Sequence, residues 1–172
     1  YTVTAVRLEG QYLGKDDEFK QLIGIRAGEP YRAAAVTATS KAFTDRFGTF
    51  GYAFARVEAR TEIDRANGLV TVVLASDPQR RVYVRRIDVA GNTRTRDEVV
   101  RREFRQLESS WYDGERIKLS RERVDRLGYF SEANVETPPV AGTPDQVDVN
   151  FTVKERPTGS ISFGAGVSSA EK

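Results

Sequence analysis

"VTAVRLEGQ" at residues 3–11 and "VRRIDVAGN" at residues 84–92 share one pattern, and this pattern decides the fold. From Val6 in the first stretch and Ile87 in the second, apolar and polar residues alternate toward a glycine, Gly10 and Gly91. Alternation with a period of two is typical of a β-strand with one buried face, and glycine is a frequent turn residue. Because the stretches are 81 residues apart, we expect one structural unit to occur twice.

Two later stretches repeat in the same order. "GYAFARVEART" at 51–61 resembles "GYFSEANVETP" at 128–138, and "LVTVVLAS" at 69–76 resembles "QVDVNFTV" at 146–153. Matched blocks at nearly one offset indicate two copies of a unit of about 75–80 residues. Each copy has a strand, two helical stretches and two closing strands. The sequence therefore predicts an α+β fold with two tandem β-α-α-β-β domains, each a three-stranded mixed sheet covered on one face by two helices.

The helical stretches are clearest in the second copy. Thr95 and Glu98 have the spacing of a capping box, which predicts a helix at 96–108. Apolar residues follow at helical spacing and would face the sheet; they are Val100, Phe104 and Leu107. Charged residues at the same spacing would then share an exposed flank; they are Arg101, Arg105 and Glu108. A second helix is predicted at about 114–127, and its counterpart in the first copy at about 31–47.

The composition argues against an enzyme or a metalloprotein. The 172 residues include no His and no Cys, so the commonest general base, the thiol nucleophile and the usual transition-metal ligands are missing. Carboxylates are frequent, but they lie in acidic clusters that are typical of solvated turns and helices. We therefore expect no catalysis, and we expect no metal, nucleotide or organic cofactor to bind.

A small nucleic-acid-binding module is the alternative from another functional class. Small βααβ units include RNA binders, and paired arginines occur at 80–81, 85–86 and 101–102. However, 27 basic and 25 acidic residues give a net charge of only +2, and acidic residues are interleaved with the arginines. The GXXG loop of a KH domain is absent between the helices. We therefore expect no nucleic acid among the partners.

The second copy resembles a known family. The resemblance is carried by "VRRIDVAGNTRTRDEVVRRE", "RVDRLGYF", "GTPDQVDVNFTVKERPTGS" and the glycine-spaced "FGAG". In order and spacing these stretches resemble the last POTRA domain of the BamA outer-membrane protein assembly factors, where it leads into the first barrel strand. The first copy is similar to the penultimate POTRA domain through "AGEPY" and "GYAFARV". The resemblance implies POTRA domains at 1–78 and 79–156, and the start of a truncated transmembrane β-strand at 157–172.

The resemblance also implies a function. It implies a scaffold at the periplasmic face of the bacterial outer membrane, which docks accessory lipoproteins and receives unfolded outer-membrane proteins. Membrane contact would occur only through the missing barrel, into which the alternating stretch at 160–167 would lead. POTRA domains of a related two-partner secretion or translocation transporter are a further alternative.

The expected contact residues fall in two groups. An unfolded substrate could add to an open sheet edge through main-chain hydrogen bonds, and the candidate edges are 54–63 and 133–137. The edge residues are Phe54, Arg56, Glu58 and Val135. By resemblance, the flank of the helix at 96–108 would meet a BamD-like lipoprotein. The flank residues are Arg101, Arg105 and Glu108.

Overall fold

The computed structural model describes residues 1–157 and contains two compact units. The first consists of Tyr1–Tyr83 with Trp111–Glu115, and the second of Val84–Ser110 with the described residues from Arg116. The predicted membrane strand lies outside the described residues. None of the helices in this described part is long and apolar enough to cross a membrane.

The first unit is a three-stranded sheet with helices on one face. Its elements are β1 (Thr2–Gly10), α1 (Asp16–Lys20), α2 (Ala33–Thr49), β2 (Arg56–Asp64) and β3 (Leu69–Asp77). The sheet order is β1-β3-β2, with β1 parallel and β2 antiparallel to the central β3. A parallel neighbour needs a crossover connection, and the two helices supply it.

Aromatic rings fill the core of the first unit. Tyr12, Phe19, Phe43 and Phe47 are buried, and their ring centroids lie 4.6–5.8 Å apart. The Tyr12 hydroxyl donates a 2.6 Å hydrogen bond to the backbone oxygen of Leu74. This bond satisfies a buried polar group, while burial raises the pKa of Tyr12 to about 12.

The second unit repeats this arrangement. Its elements are β4 (Tyr83–Ala90), α3 (Asp97–Arg101), α4 (Gly114–Asp125), β5 (Phe130–Glu136) and β6 (Gln146–Glu155). The order is β4-β6-β5, with β5 antiparallel to the central β6. Aliphatic residues dominate its core, and one stacked pair of rings, Phe104 and Phe151, has a centroid distance of 4.5 Å. The predicted fold class, two such α+β domains in tandem, is confirmed.

The two units match in register. α1 and α3 start 81 residues apart, as do α2 and α4, whereas β3 and β6 start 77 residues apart. The offset falls by four because α2 runs about one turn further than α4, and Phe47 lies in this extra turn. One turn of α-helix contains 3.6 residues, so the additional residues return the chain to nearly the same helix face.

Two glycines are required at equivalent places. Gly10 and Gly91 have φ values of 86° and 88°. An added Cβ would lie 2.1 Å from the backbone oxygen of Ser76 at the first glycine and 1.9 Å from that of Val153 at the second. The first strand of each unit can therefore end beside the central strand only with glycine at this position.

The predicted capping box is wrong. The residue before α3 is Arg96, and it makes no side-chain cap. The Thr95 hydroxyl instead donates a 2.8 Å hydrogen bond to the carboxylate of Glu155. That carboxylate also accepts the Thr93 hydroxyl at 2.8 Å and the Arg94 N–H at 2.9 Å. A tertiary contact with the end of β6 thus replaces the local cap.

The predicted helix at 96–108 is wrong beyond Arg101, where α3 ends. Phe104 is still buried, but Leu107 is 61% exposed. Beyond α3, the buried Ser120 hydroxyl accepts the N–H of Arg105 at 2.8 Å, which in a continued helix would bond the Arg101 oxygen. The same bond occurs in the first unit, where Thr39 and Gly24 take these two roles at 3.1 Å.

Candidate functional site

β2 and β5 are edge strands, so their outer backbone groups face away from the sheet. Arg56 and Glu58 lie on β2, and Val135 lies on β5 opposite Phe151. Phe54 lies in the turn before β2 and is therefore not part of the edge. Three of the four predicted edge residues thus lie on edge strands.

The open face of β2 carries an ion-pair network. Arg7 binds Glu62 at 2.9 Å and Glu9 at 3.1 Å, and Arg60 binds Glu9 at 2.7 Å. Hydrogen bonds from these arginines lower the pKa of both carboxyl groups. Val73 lies in register between the two arginines and is fully buried. The network therefore covers an apolar residue on the face of the sheet that lacks helices.

The first strand of each unit forms the opposite edge, and the following loop covers its start. Val3 donates to the Glu29 oxygen at 2.9 Å and accepts from the Gly28 N–H at 2.7 Å. Val84 makes the equivalent bonds to 109–110, again at 2.9 and 2.7 Å. In both units, the two residues that lie five and four positions before the second helix thus act as a short partner segment for the first strand.

The predicted flank residues lie beside this edge of the second unit. The Glu108 carboxylate accepts the backbone N–H of Ile87 at 2.8 Å. The Arg101 guanidinium donates to the backbone oxygen of Ile87 at 2.6 Å and also binds the Asp97 carboxylate. Two side chains thus satisfy both outward backbone groups of one β4 residue. We call this arrangement, formed by Arg101, Glu108 and Ile87, the β4 edge cap.

Arg105 is not part of the β4 edge cap. Its guanidinium bonds the carbonyl oxygens of residues 102, 103 and 104 at 3.2–3.5 Å. The structure therefore brings Arg101 and Glu108 together across a strand edge and holds Arg105 over its own turn. Helical spacing predicted the wrong relation among the three residues.

Sequence reasoning missed Ile87 as the residue that joins them. The available signal was the spacing of the buried residues Val84 and Ile87. Residues on one face of a regular strand are an even number apart, so a spacing of three requires an irregularity between them. The first unit has a register shift at the equivalent place, between Val3 and Ala5.

Comparison with known proteins gives the family. The family model for POTRA, described as a surface antigen variable number repeat, matches residues 1–75 and 82–156. The outer membrane protein assembly factor BamA of Neisseria meningitidis is 40% identical over 149 residues, which are 87% of this chain and 19% of that protein. BamA of Nitratidesulfovibrio vulgaris is 30% identical over 98% of this chain and 22% of its own length. The chain thus spans about a fifth of the length of these relatives.

Solved structures agree with this assignment. The crystal structure of Haemophilus influenzae BamA POTRA3-5 is 31% identical, with a TM-score of 0.85 over 90% of this chain and 61% of that chain. Haemophilus ducreyi BamA lacking POTRA domains 1-3 is 31% identical, with a TM-score of 0.79 over 92% of this chain and 30% of that chain. The resemblance predicted from the sequence is confirmed. Two family matches that cover most of the chain, on two units of one topology, show that the chain belongs to the POTRA family.

Proposed function

We propose that the chain is a non-enzymatic scaffold module of outer-membrane protein assembly, and that it works on the periplasmic side of the bacterial outer membrane. The similarity to BamA proteins in both sequence and structure supports this role. Within the assembly factor, residues 1–78 and 79–156 would be the penultimate and last POTRA domains. The nucleic-acid and transporter alternatives lack a comparable observation in their favour.

The proposed substrate surface is the edge of β2, and one observation carries it. β2 is nine residues long, it lies at the edge of its sheet, and all of its residues except Val57 are exposed. An unfolded chain could add here through main-chain hydrogen bonds, which need no particular sequence. Such tolerance suits a module that receives many different barrel proteins.

Photo-crosslinking tests this surface. A benzophenone amino acid at Glu58 of the full-length protein should cross-link to a newly exported outer-membrane protein. The matched control places the same group at Lys41, an exposed residue of α2. Equal cross-linking at the two positions would contradict a role for the β2 edge.

The proposed lipoprotein surface is the loop at 102–110. Leu107 is 61% exposed and is followed by Glu108, an exposed residue with one carboxylate oxygen on the Ile87 N–H. Exposed apolar residues flanked by charges are typical of protein interfaces. In this proposal Leu107 provides the apolar anchor for a BamD-like lipoprotein, while Arg101, Arg105 and Glu108 provide charge complementarity.

Calorimetry with the purified lipoprotein tests this second surface. Leu107→Asp should weaken binding at least about tenfold, because the loss of one buried leucine costs about 1.5–3 kcal/mol. Leu119→Asp is the control, since Leu119 is a partly exposed leucine on α4. Glu108→Lys and Arg101→Glu should also weaken binding. Unchanged affinity in Leu107→Asp would remove this loop from the proposal.

A further inference from the structure

We propose that the outer edge of β1, at Val6 and Leu8, is a pairing site for an extended peptide, whereas the β4 edge cap closes the equivalent edge of the second unit. This inference rests on the proposed function and deepens it, because it names a further edge and the unit that can use it. The partner is an unfolded polypeptide segment, recognised through its main chain.

The direction of the backbone groups places Val6 and Leu8 on the outside. The Gln11 N–H donates inward to the Ser76 oxygen of β3. Val6 is the counterpart of Ile87, whose N–H and C=O groups face outward, and β1 keeps an unbroken register with β3 from Ala5 to Gly10, so the outward direction recurs at every second residue of this stretch. The N–H and C=O groups of Val6 and Leu8 consequently face away from the sheet.

The first unit has no counterpart of the β4 edge cap. Val6 is equivalent to Ile87 at the 81-residue offset, and the counterparts of Arg101 and Glu108 are Lys20 and Ala27. Alanine has no side-chain acceptor. Among residues 1–157, neither a loop nor a side chain makes a hydrogen bond to the outward groups of Val6 or Leu8.

The chemistry of the cap indicates what an open edge accepts. At Ile87 a carboxylate oxygen takes the place of a neighbouring strand's C=O, and a guanidinium N–H takes the place of its N–H. Both substitutes are charged, and charge-assisted hydrogen bonds are stronger than neutral ones. In the second unit, two side chains thus occupy the hydrogen-bonding positions at Ile87 that an added strand would otherwise use.

The open edge suits a short strand. The loop at 28–29 already covers Val3, so an incoming strand would pair from about Ala5 to Gly10, a length of about five or six residues or roughly 20 Å. Val6 and Leu8 are half-buried and lie on the face that packs against the core. A peptide with alternating apolar residues would extend this face and gain burial in addition to main-chain hydrogen bonds.

Paramagnetic NMR tests the site directly. The probe is a synthetic decapeptide of alternating valine and threonine with a nitroxide label at one end, added to the isotope-labelled chain. We expect the label to broaden the amide signals of Val6 and Leu8 more than those of Ile87 and of β2. The same peptide with alternate amides N-methylated cannot complete the ladder, and it should bind at least about tenfold more weakly.

Transplanting the cap provides the decisive variant. Lys20→Arg combined with Ala27→Glu should install the cap at Val6 and weaken peptide binding about tenfold, while Lys20→Arg alone, which lacks the acceptor, should leave it nearly unchanged. The reverse variant, Glu108→Ala in the second unit, should allow broadening to appear at Ile87.

The possible outcomes separate this inference from the proposed function. Broadening confined to β2 or β5 would overturn the β1 site and leave the substrate-receiving role intact. Broadening at Val6 that persists with the N-methylated peptide would also overturn it, because side-chain adhesion would then explain binding. No binding at any edge would count against both proposals.

Discussion

The two units share one topology and register but differ in how they fill the core and close the first edge. A cluster of four buried aromatic rings lies in the core of the first unit, whereas the core of the second combines aliphatic residues with one stacked ring pair and the separate buried ring of Phe130. Within residues 1–157, no loop or side chain bonds the outward groups of Val6 in the first unit, whereas Glu108 and Arg101 bond those of Ile87 in the second. The positions that stay the same are the strand-ending glycine and the buried hydroxyl that receives an N–H at the helix exit. The difference teaches that a few backbone requirements specify this fold, while core composition and edge chemistry can vary.

The largest loss of stability should follow from a substitution at the glycine that ends the first strand of each unit. Gly91→Ala places a Cβ 1.9 Å from the Val153 oxygen at a φ of 88°, so we expect the second unit to lose about 4 kcal/mol or more. Gly142→Ala is the control, because its φ is 81° but nothing lies within 4 Å. It should cost only about 1–2 kcal/mol. Hydrogen exchange resolved by segment measures both, and similar losses in the two variants would show that close approach does not matter.

The next largest loss of stability should differ between the cores of the two units. Phe43 and Val124 are equivalent, fully buried positions of the two units. We expect Phe43→Ala to cost about 3–5 kcal/mol, because it removes a ring from the aromatic cluster. Val124→Ala should cost about 2 kcal/mol, since only two methyl groups are lost. Urea unfolding measures the free energies. Equal losses would mean that the ring of Phe43 contributes no more to stability than the two methyl groups of Val124.

A smaller loss of stability should follow when the equivalent buried hydroxyl of either unit, Ser120 or Thr39, is removed. Ser120→Ala leaves the partly buried N–H of Arg105 without its 2.8 Å partner, so we expect a loss of about 1–3 kcal/mol. Thr39→Ala makes the same change in the first unit, where the bond to Gly24 is 3.1 Å. Thr39→Ser in the first unit keeps the hydroxyl and should retain most of the stability. An intact urea midpoint in Ser120→Ala would show that this bond does not determine where the chain leaves α3.

The smallest effect should be electrostatic. Hydrogen bonds from Arg60 and Arg7 lower the pKa of Glu9 below 4.5. A folded-state pKa below 4.5 stabilises the unit at pH values above 4.5. This contribution is lost as the pH falls through the folded-state pKa. In the second unit, desolvation raises the pKa of Glu155, but hydrogen bonds led by the Thr93 hydroxyl lower it by more.

Salt should sharpen this difference between the units. Exposed ion pairs are screened by salt, whereas the partners of Glu155 are hydroxyls and backbone N–H groups. NMR titration at low salt and at 1 M salt should therefore show a rise in the pKa of Glu9 and little change in that of Glu155. Equal shifts would show that the two carboxylates have the same electrostatic environment.

The sequence predicted the repeat and the order of elements because these depend on local alternation and on glycine. The sequence alone shows the two strand-ending glycines, Gly10 and Gly91, and the alternation of apolar residues in β3 and β6. Helix length was not predictable in the same way. The pattern of Val100, Phe104 and Leu107 fits a helix, but a hydroxyl 15 residues further along, Ser120, takes the N–H of Arg105.

The candidate site was predicted only in part. Arg101 and Glu108 were recognised by resemblance, but their contact with the Ile87 backbone depends on an irregular strand. Side-chain spacing shows which residues could share a helix face. It does not show which backbone groups of a distant strand lack a partner, and the β4 edge cap depends on that.

The four-residue difference between α2 and α4 has a consequence for how such units can change over evolutionary time. A gain or loss of four residues rotates the remainder of the helix by only about 40° from its former orientation and shifts it by about 6 Å. A change of two residues would instead turn the apolar side chains toward water. This helix can therefore change in length by about one turn and keep its apolar face toward the core, whereas a change of two residues would not keep it there. α2 differs from α4 by one such turn: the extra turn carries the buried Phe47, and the strands that follow have the same order in both units.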